Sequence, residues 1–214
     1  MWDDRYRAPG FAFGVEPNDF LAAECERLPP QGRVLCLAEG EGRNAVFLAR
    51  RGHRALAVDA SSVGLEKARR LAREQGVAIE TQVADLTEYR LEPDAWDAIV
   101  SIYAHVPPPI RRRLHAEAVH ALRPGGVFLL EAYTPRQLDM PGVGGPPAEK
   151  KDRFMQAETL REELAGLEFL HLTEVTRTID EGTYHEGLGH VAQVIARKNG
   201  YKNNPQIERR SGDQ

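Results

Sequence analysis

The chain holds only two cysteines in 214 residues, Cys25 and Cys36. They make no CxxC spacing, so neither a disulfide framework nor a zinc site is indicated, and a reduced, cytoplasmic setting is expected. Long apolar runs are also missing; none approaches the roughly 20 residues of a membrane span. The opening MWDDRYRAPG lacks the apolar core of a secretory signal. Nor is there an excess of positive charge: 28 Lys and Arg stand against 32 Asp and Glu, a formal net charge of −4. Neither nucleic acid nor membrane is therefore an expected partner. Aromatic residues make up only 7% of the chain. Trp2, Tyr6, Phe11 and Phe13 together are thus a local concentration, which marks a docking N-terminal arm.

What is present is an alternation of short apolar runs and amphipathic stretches. That alternation predicts an α/β fold with a mostly parallel sheet covered on both faces. Helices are expected over 19–28, 43–51, 63–75, 110–122 and 156–164, and strands over 33–38, 54–59, 79–85, 96–104 and 127–133. LEFLHLTEVTRTI and LGHVAQVIARK read as a closing antiparallel hairpin. The Gly- and Pro-rich stretch 134–153 reads as a long loop. One domain over 1–198 and a polar tail over 199–214 complete the organisation.

The chemistry gathers at LAEGEGRNA, where the first strand turns into a helix. Gly40 permits a tight turn, and Gly42 lets a ligand approach the backbone. The helix N-terminus beyond would favour a negative ligand group. Asp59 ends the next strand, where a carboxylate can accept both hydroxyls of a ribose. Asp85 ends the third, where one can accept from an adenine amino group. Ligands of open α/β sheets bind along these carboxyl ends. Gly40, Gly42 and Ala45 also fit a dinucleotide fingerprint, so an NAD-dependent oxidoreductase is a rival reading. Glu39 counts against it, because an acid before the first glycine repels a pyrophosphate but suits an ammonium group.

LAEGEGRN, AVDAS with Asp59, VADL with Asp85 and LRPGGVFLLEAY stand in the order of a class I S-adenosylmethionine-dependent methyltransferase, which the chain resembles from about residue 2 to 198. The opening WDDRY…FGVEPNDFL and EGTYHEGLGHV resemble the tellurite-resistance (TehB-type) and thiol methyltransferases. The resemblance implies a Rossmann-like, doubly wound seven-stranded sheet with the last strand antiparallel and helices on both faces. It implies S-adenosylmethionine as cofactor, with Glu39, Gly40 and Gly42 at the methionine part and Asp59 at the ribose. Asp85 and Leu86 then fall at the adenine and Ser101 near the sulfonium. The arm and helix over 1–30 would cover the cofactor, and the loop 134–153 would line the pocket. Many members carry Asp where this chain has Glu39.

The acceptor would be a small molecule, either a thiol or tellurite- or selenite-like soft nucleophile, or a small oxygen or nitrogen compound. Such acceptors need donors near the methyl group, and His105, Arg177 and His185 are the candidate catalytic residues. Tyr133 is a candidate pocket wall. A cofactor-binding protein without catalysis is a further alternative. HAEAVH and HEGLGH pair their histidines at i, i+5, which does not put them on one helix face, so no metal is expected.

Overall fold

The computed structural model describes residues 2–200. Most of the expected tail, from 201 on, lies outside them. Seven strands form one sheet: β1 (Arg33–Leu37), β2 (Arg54–Asp59), β3 (Glu80–Val83), β4 (Trp96–Ile102), β5 (Leu122–Tyr133), β6 (Leu167–Asp180) and β7 (Glu186–Lys198). Their order is β3-β2-β1-β4-β5-β7-β6. The first five run parallel, and β7 is antiparallel to both of its neighbours, β5 and β6. The doubly wound sheet with an antiparallel last strand is thus as the sequence implied.

Period-two alternation in the central strands builds two cores. Leu35, Leu37, Ile99, Phe128 and Leu130 face one side with Leu114, Ala118 and Leu160. Val34, Cys36, Ala98, Val100 and Leu129 face the other with Leu21, Leu48 and Leu65. The covering helices on the first side are α5 (Pro108–Ala121) and α6 (Ala157–Glu163). On the second they are α2 (Asp19–Glu24), α3 (Arg43–Arg50) and α4 (Ser62–Glu74). Cys25 and Cys36 are free and buried.

Several boundaries differ from expectation, and β3 ends at Val83, so Asp85 lies in the loop beyond the strand. The first helix tightens into a 3₁₀ turn at Cys25–Arg27 before Pro29. Leu122 already pairs with Trp96, and the pairing resumes at Val127 opposite Ala98 after a register shift. The arm adds a short helix, α1 (Trp2–Tyr6), which the sequence pattern did not show. Two 3₁₀ segments, Pro135–Asp139 and Ala148–Arg153, order much of the expected loop. The sheet order reverses direction at β1, between β2 and β4. That opens a crevice at the carboxyl ends of these strands.

Candidate functional site

The turn after β1 is built around a carboxylate. Glu39 Oε1 accepts from the N–H groups of Asn44 and Ala45, at 2.9 and 2.8 Å. These are orphan donors of the first turn of α3. The expectation that this helix end serves a negative ligand therefore needs correcting: the protein's own Glu39 occupies it. Burial pushes the Glu39 carboxyl up to about 7, against those backbone bonds and the Arg43 charge. Asp59, at the end of β2, accepts from Gly40 N–H at 2.9 Å and Ser61 N–H at 2.8 Å. Burial raises its pKa as well. Neither acid forms an ion pair among the described residues.

Gly40 and Gly42 divide the roles expected of them. The position a Gly40 side chain would take is filled by the Tyr6 ring of the arm, with Cζ at 3.0 Å and the hydroxyl closer. A side chain at Gly42, where φ is +89°, would instead strike Ala68 of α4, with Cα at 2.8 Å. Gly42 is thus required by helix packing, and at Gly40 it is Tyr6 of the arm that makes the close approach. Ser101 is buried in β4 beside Leu37. Leu86 is buried in the core, while Asp85 is exposed and accepts from Thr87 N–H at 2.8 Å, which lowers its pKa.

The acceptor-side candidates fall in three different settings. His105 has both ring nitrogens committed to backbone: Nδ1 to the Arg153 carbonyl at 3.0 Å and Nε2 to the Tyr133 N–H at 3.2 Å. Burial pushes its pKa down to about 4. It therefore ties the β4–α5 loop to the end of β5, and the catalytic role expected of it has no free atom to act through.

Arg177 lies in a buried ionic cluster. It donates to Glu131 Oε1 at 2.7 Å, to Glu181 Oε1 at 2.5 Å, and to Tyr103 Oη at 3.1 Å. Arg43 donates to the other oxygen of Glu181 at 2.6 Å. Asn18 Nδ2 bridges Glu131 and Glu181 at 2.7 and 3.0 Å. Two guanidiniums thus balance two buried carboxylates. Burial alone would raise Glu181, but Arg43 and Arg177 hold it below the usual carboxylate range. Sequence reading missed Asn18, Arg43, Tyr103, Glu131 and Glu181. One signal was available: Glu131 is an acid inside the apolar run VFLLEAY.

His185 sits in the β6–β7 turn, edge-on to Tyr103 at 4.2 Å and to Phe13 at 4.8 Å between ring centroids. Burial drives its pKa well down, and Arg43 adds to this. The arm reaches this turn from the glycine loop. Lys67 Nζ holds the arm through the carbonyls of Ala8 and Gly10 and pairs with buried Glu41. Glu41 accepts from Ala12 N–H at 2.7 Å. Gly182 admits the Phe13 backbone so closely that a side chain there would lie 2.7 Å from Phe13 Cα. Among the described residues no cluster of three or more His, Cys, Asp or Glu could hold a metal. Nor is any helix there long and apolar enough to cross a membrane.

Residues 34–126 match the family model described as a methyltransferase domain. A curated relative, the 2-heptyl-1-hydroxyquinolin-4(1H)-one methyltransferase of Mycobacteroides abscessus, is 26% identical over 141 residues. That match takes in 64% of this chain and 61% of the relative, so the chain spans about three-fifths of the relative's length. Among solved structures, one concerns conversion of a disulfide bond into a thioacetal group during echinomycin biosynthesis. It superposes with a TM-score of 0.70 at 21% identity, over 96% of this chain and 93% of that one. TehB from Haemophilus influenzae superposes with a TM-score of 0.67 at 18% identity, over 92% and 66%. Residues 34–126 thus match a methyltransferase domain, and the chain shares the fold of solved S-adenosylmethionine-dependent methyltransferases.

Proposed function

We propose that the chain transfers the methyl group of S-adenosylmethionine to a small-molecule acceptor in the cytoplasm. The observation that carries this is the pair Glu39 and Asp59. Two strand-end carboxylates, each held by backbone N–H groups and free of any ion pair among the described residues, fit an ammonium group and ribose hydroxyls. The same geometry disfavours a dinucleotide, because Glu39 already takes the helix-end donors that a pyrophosphate would need. Asp85 and Leu86 are assigned to the adenine end, Gly40 to the methionine and Ser101 to the neighbourhood of the sulfonium. When bound, the cofactor supplies an electrophilic methyl group. This chain's residues have to orient the acceptor and exclude water. The arm and the loop 134–153 are assigned that exclusion.

For the acceptor, the narrower sequence resemblance favours a thiol or a tellurite- or selenite-like ion. The curated relative's name instead points to a hydroxylated heterocycle. Arg177 and Arg43 weigh against an oxyanion, since each is already bound to a buried carboxylate and offers no unpaired charge. They are assigned to positioning rather than to contact with the acceptor. Incubation with methyl-labelled S-adenosylmethionine and a panel of thiol, selenite, tellurite and phenol acceptors tests the reaction. Labelled product with one of them is expected. Complete absence of product together with no binding of S-adenosylhomocysteine would contradict the proposal.

A further inference from the structure

Two open cavities among the described residues lie on the outer surface of the helices. One, of about 520 Å³, runs along α4 past Glu66, Lys67, Arg70 and Arg73. Another, of about 280 Å³, lies by Val15, Arg43 and Arg50. The interior behind the arm holds a more specific feature. Tyr103 and Tyr133 stack with ring centroids 4.8 Å apart and planes at 21°. His185 stands edge-on to both, and Phe13 of the arm covers His185. Two polar atoms in this cluster have no hydrogen-bond partner among the described residues: His185 Nδ1 and Tyr133 Oη. His185 is 8% exposed and Tyr133 0%. A buried polar atom left unpaired is destabilising, so two in one aromatic cluster need an explanation.

The chemistry of the cluster narrows what completes it. His185 is held neutral by burial and by the Arg43 charge, so its Nδ1 can accept a hydrogen bond from a hydroxyl. Tyr133 Oη can donate one. The rings offer flat apolar surface that stacks with another ring. The charged groups beside them, Arg177 and Glu131, are paired with each other. An oxyanion here would lose its hydration beside two buried carboxylates whose cations, Arg43 and Arg177, are already paired, while Arg5 is held over the Phe13 and Tyr184 rings.

We propose that Tyr103, Tyr133 and His185 form the acceptor subsite, and that it takes a neutral, planar aromatic compound bearing a hydroxyl group in the space Phe13 now covers. This rests on the methyltransferase reading and names the substrate class of that same site. The ring lies against Tyr103, and its hydroxyl donates to His185 Nδ1. Phe13 belongs to the arm, while Gly144, Gly145 and Phe154 close on Tyr133 from the other loop.

The test is calorimetric titration of the full chain, saturated with S-adenosylhomocysteine, using 2-naphthol and selenite as separate probes. His185→Phe and Tyr133→Phe keep the rings and remove one polar atom each. The expected result is one-site binding of 2-naphthol, weakened about tenfold or more in each variant. S-adenosylhomocysteine affinity should stay within about twofold, which also shows that each variant is folded. Binding of selenite without 2-naphthol, or undiminished 2-naphthol binding in both variants, overturns the assignment. If S-adenosylhomocysteine binds and 2-naphthol does not, the acceptor assignment alone falls. If S-adenosylhomocysteine itself fails to bind, the methyltransferase reading falls and takes this one with it.

Discussion

Glu39 carries a pH dependence that its position makes testable. Its carboxyl sits at about 7 in the folded chain because burial outweighs the backbone bonds it accepts. An ammonium group needs the ionised form, so its binding releases the proton that Glu39 holds below that pH. Affinity for S-adenosylhomocysteine should therefore fall by up to about tenfold per pH unit as pH drops below about 7. Titrations at several pH values check this, and Glu39→Gln should bind weakly with a flatter profile. Without ligand the sign reverses. Glu39 retains its proton on folding between its ordinary pKa and about 7, so its contribution to stability declines as pH rises through that window. At Asp59 the conservative change is Asn, which keeps an acceptor for one of the Gly40 and Ser61 N–H groups and loses the other. Asp59→Asn should cost about 1.5–3 kcal/mol for each charge-assisted ribose bond weakened, read as cofactor affinity in the same titration. Both acids were legible in the sequence, because a strand-end acid near a glycine turn is a local pattern. His105 was not, since its partners Arg153 and Tyr133 reach it only through the fold.

The elements are joined by buried charge as much as by apolar contact. Glu163 of α6 accepts from Arg111 of α5 at 2.8 Å and from His115 at 2.7 Å, and all three are buried. Burial would raise the Glu163 carboxyl, but the bonds from His115 and Arg111 hold it down at about 2. A depressed carboxylate stabilises the fold above its ordinary pKa, and that stability is lost as pH falls toward about 2. Glu163→Gln strands the buried Arg111 guanidinium and disturbs the bond to His115. It should cost about 3–5 kcal/mol and lower Tm by roughly 10 °C, measured by calorimetry. The arm is a different case, since Lys67 latches it from outside. Lys67→Met should release it and speed tryptic cleavage after exposed Arg7 by about tenfold, with the exposure of that site as the physical cause, and it also leaves buried Glu41 without its cation. The final hairpin was legible because β6 and β7 are adjacent in sequence and alternate. The arm's helix was not, because five residues without a periodic face give no pattern.

At the scale of the whole molecule, the sheet could be read from the sequence. Each parallel strand is a short apolar run ending in a turn, and the alternation with amphipathic helices leaves few topologies. The ionic cluster could not. Asn18, Arg43, Glu131, Arg177 and Glu181 come from places spread along most of the chain, and their distances exist only after folding. That is also why Arg177 read as a free acceptor-side cation from sequence and stands paired in the structure. The cofactor side is the reverse, for its acids lie along one edge of adjacent strands. The account as a whole therefore rests on what that edge binds. Isothermal titration of the full chain with S-adenosylhomocysteine and, separately, with NADH tests it most directly. One-site binding of S-adenosylhomocysteine, lost in Asp59→Asn, with no heat from NADH, is the predicted result; saturable NADH binding with none for S-adenosylhomocysteine would contradict it.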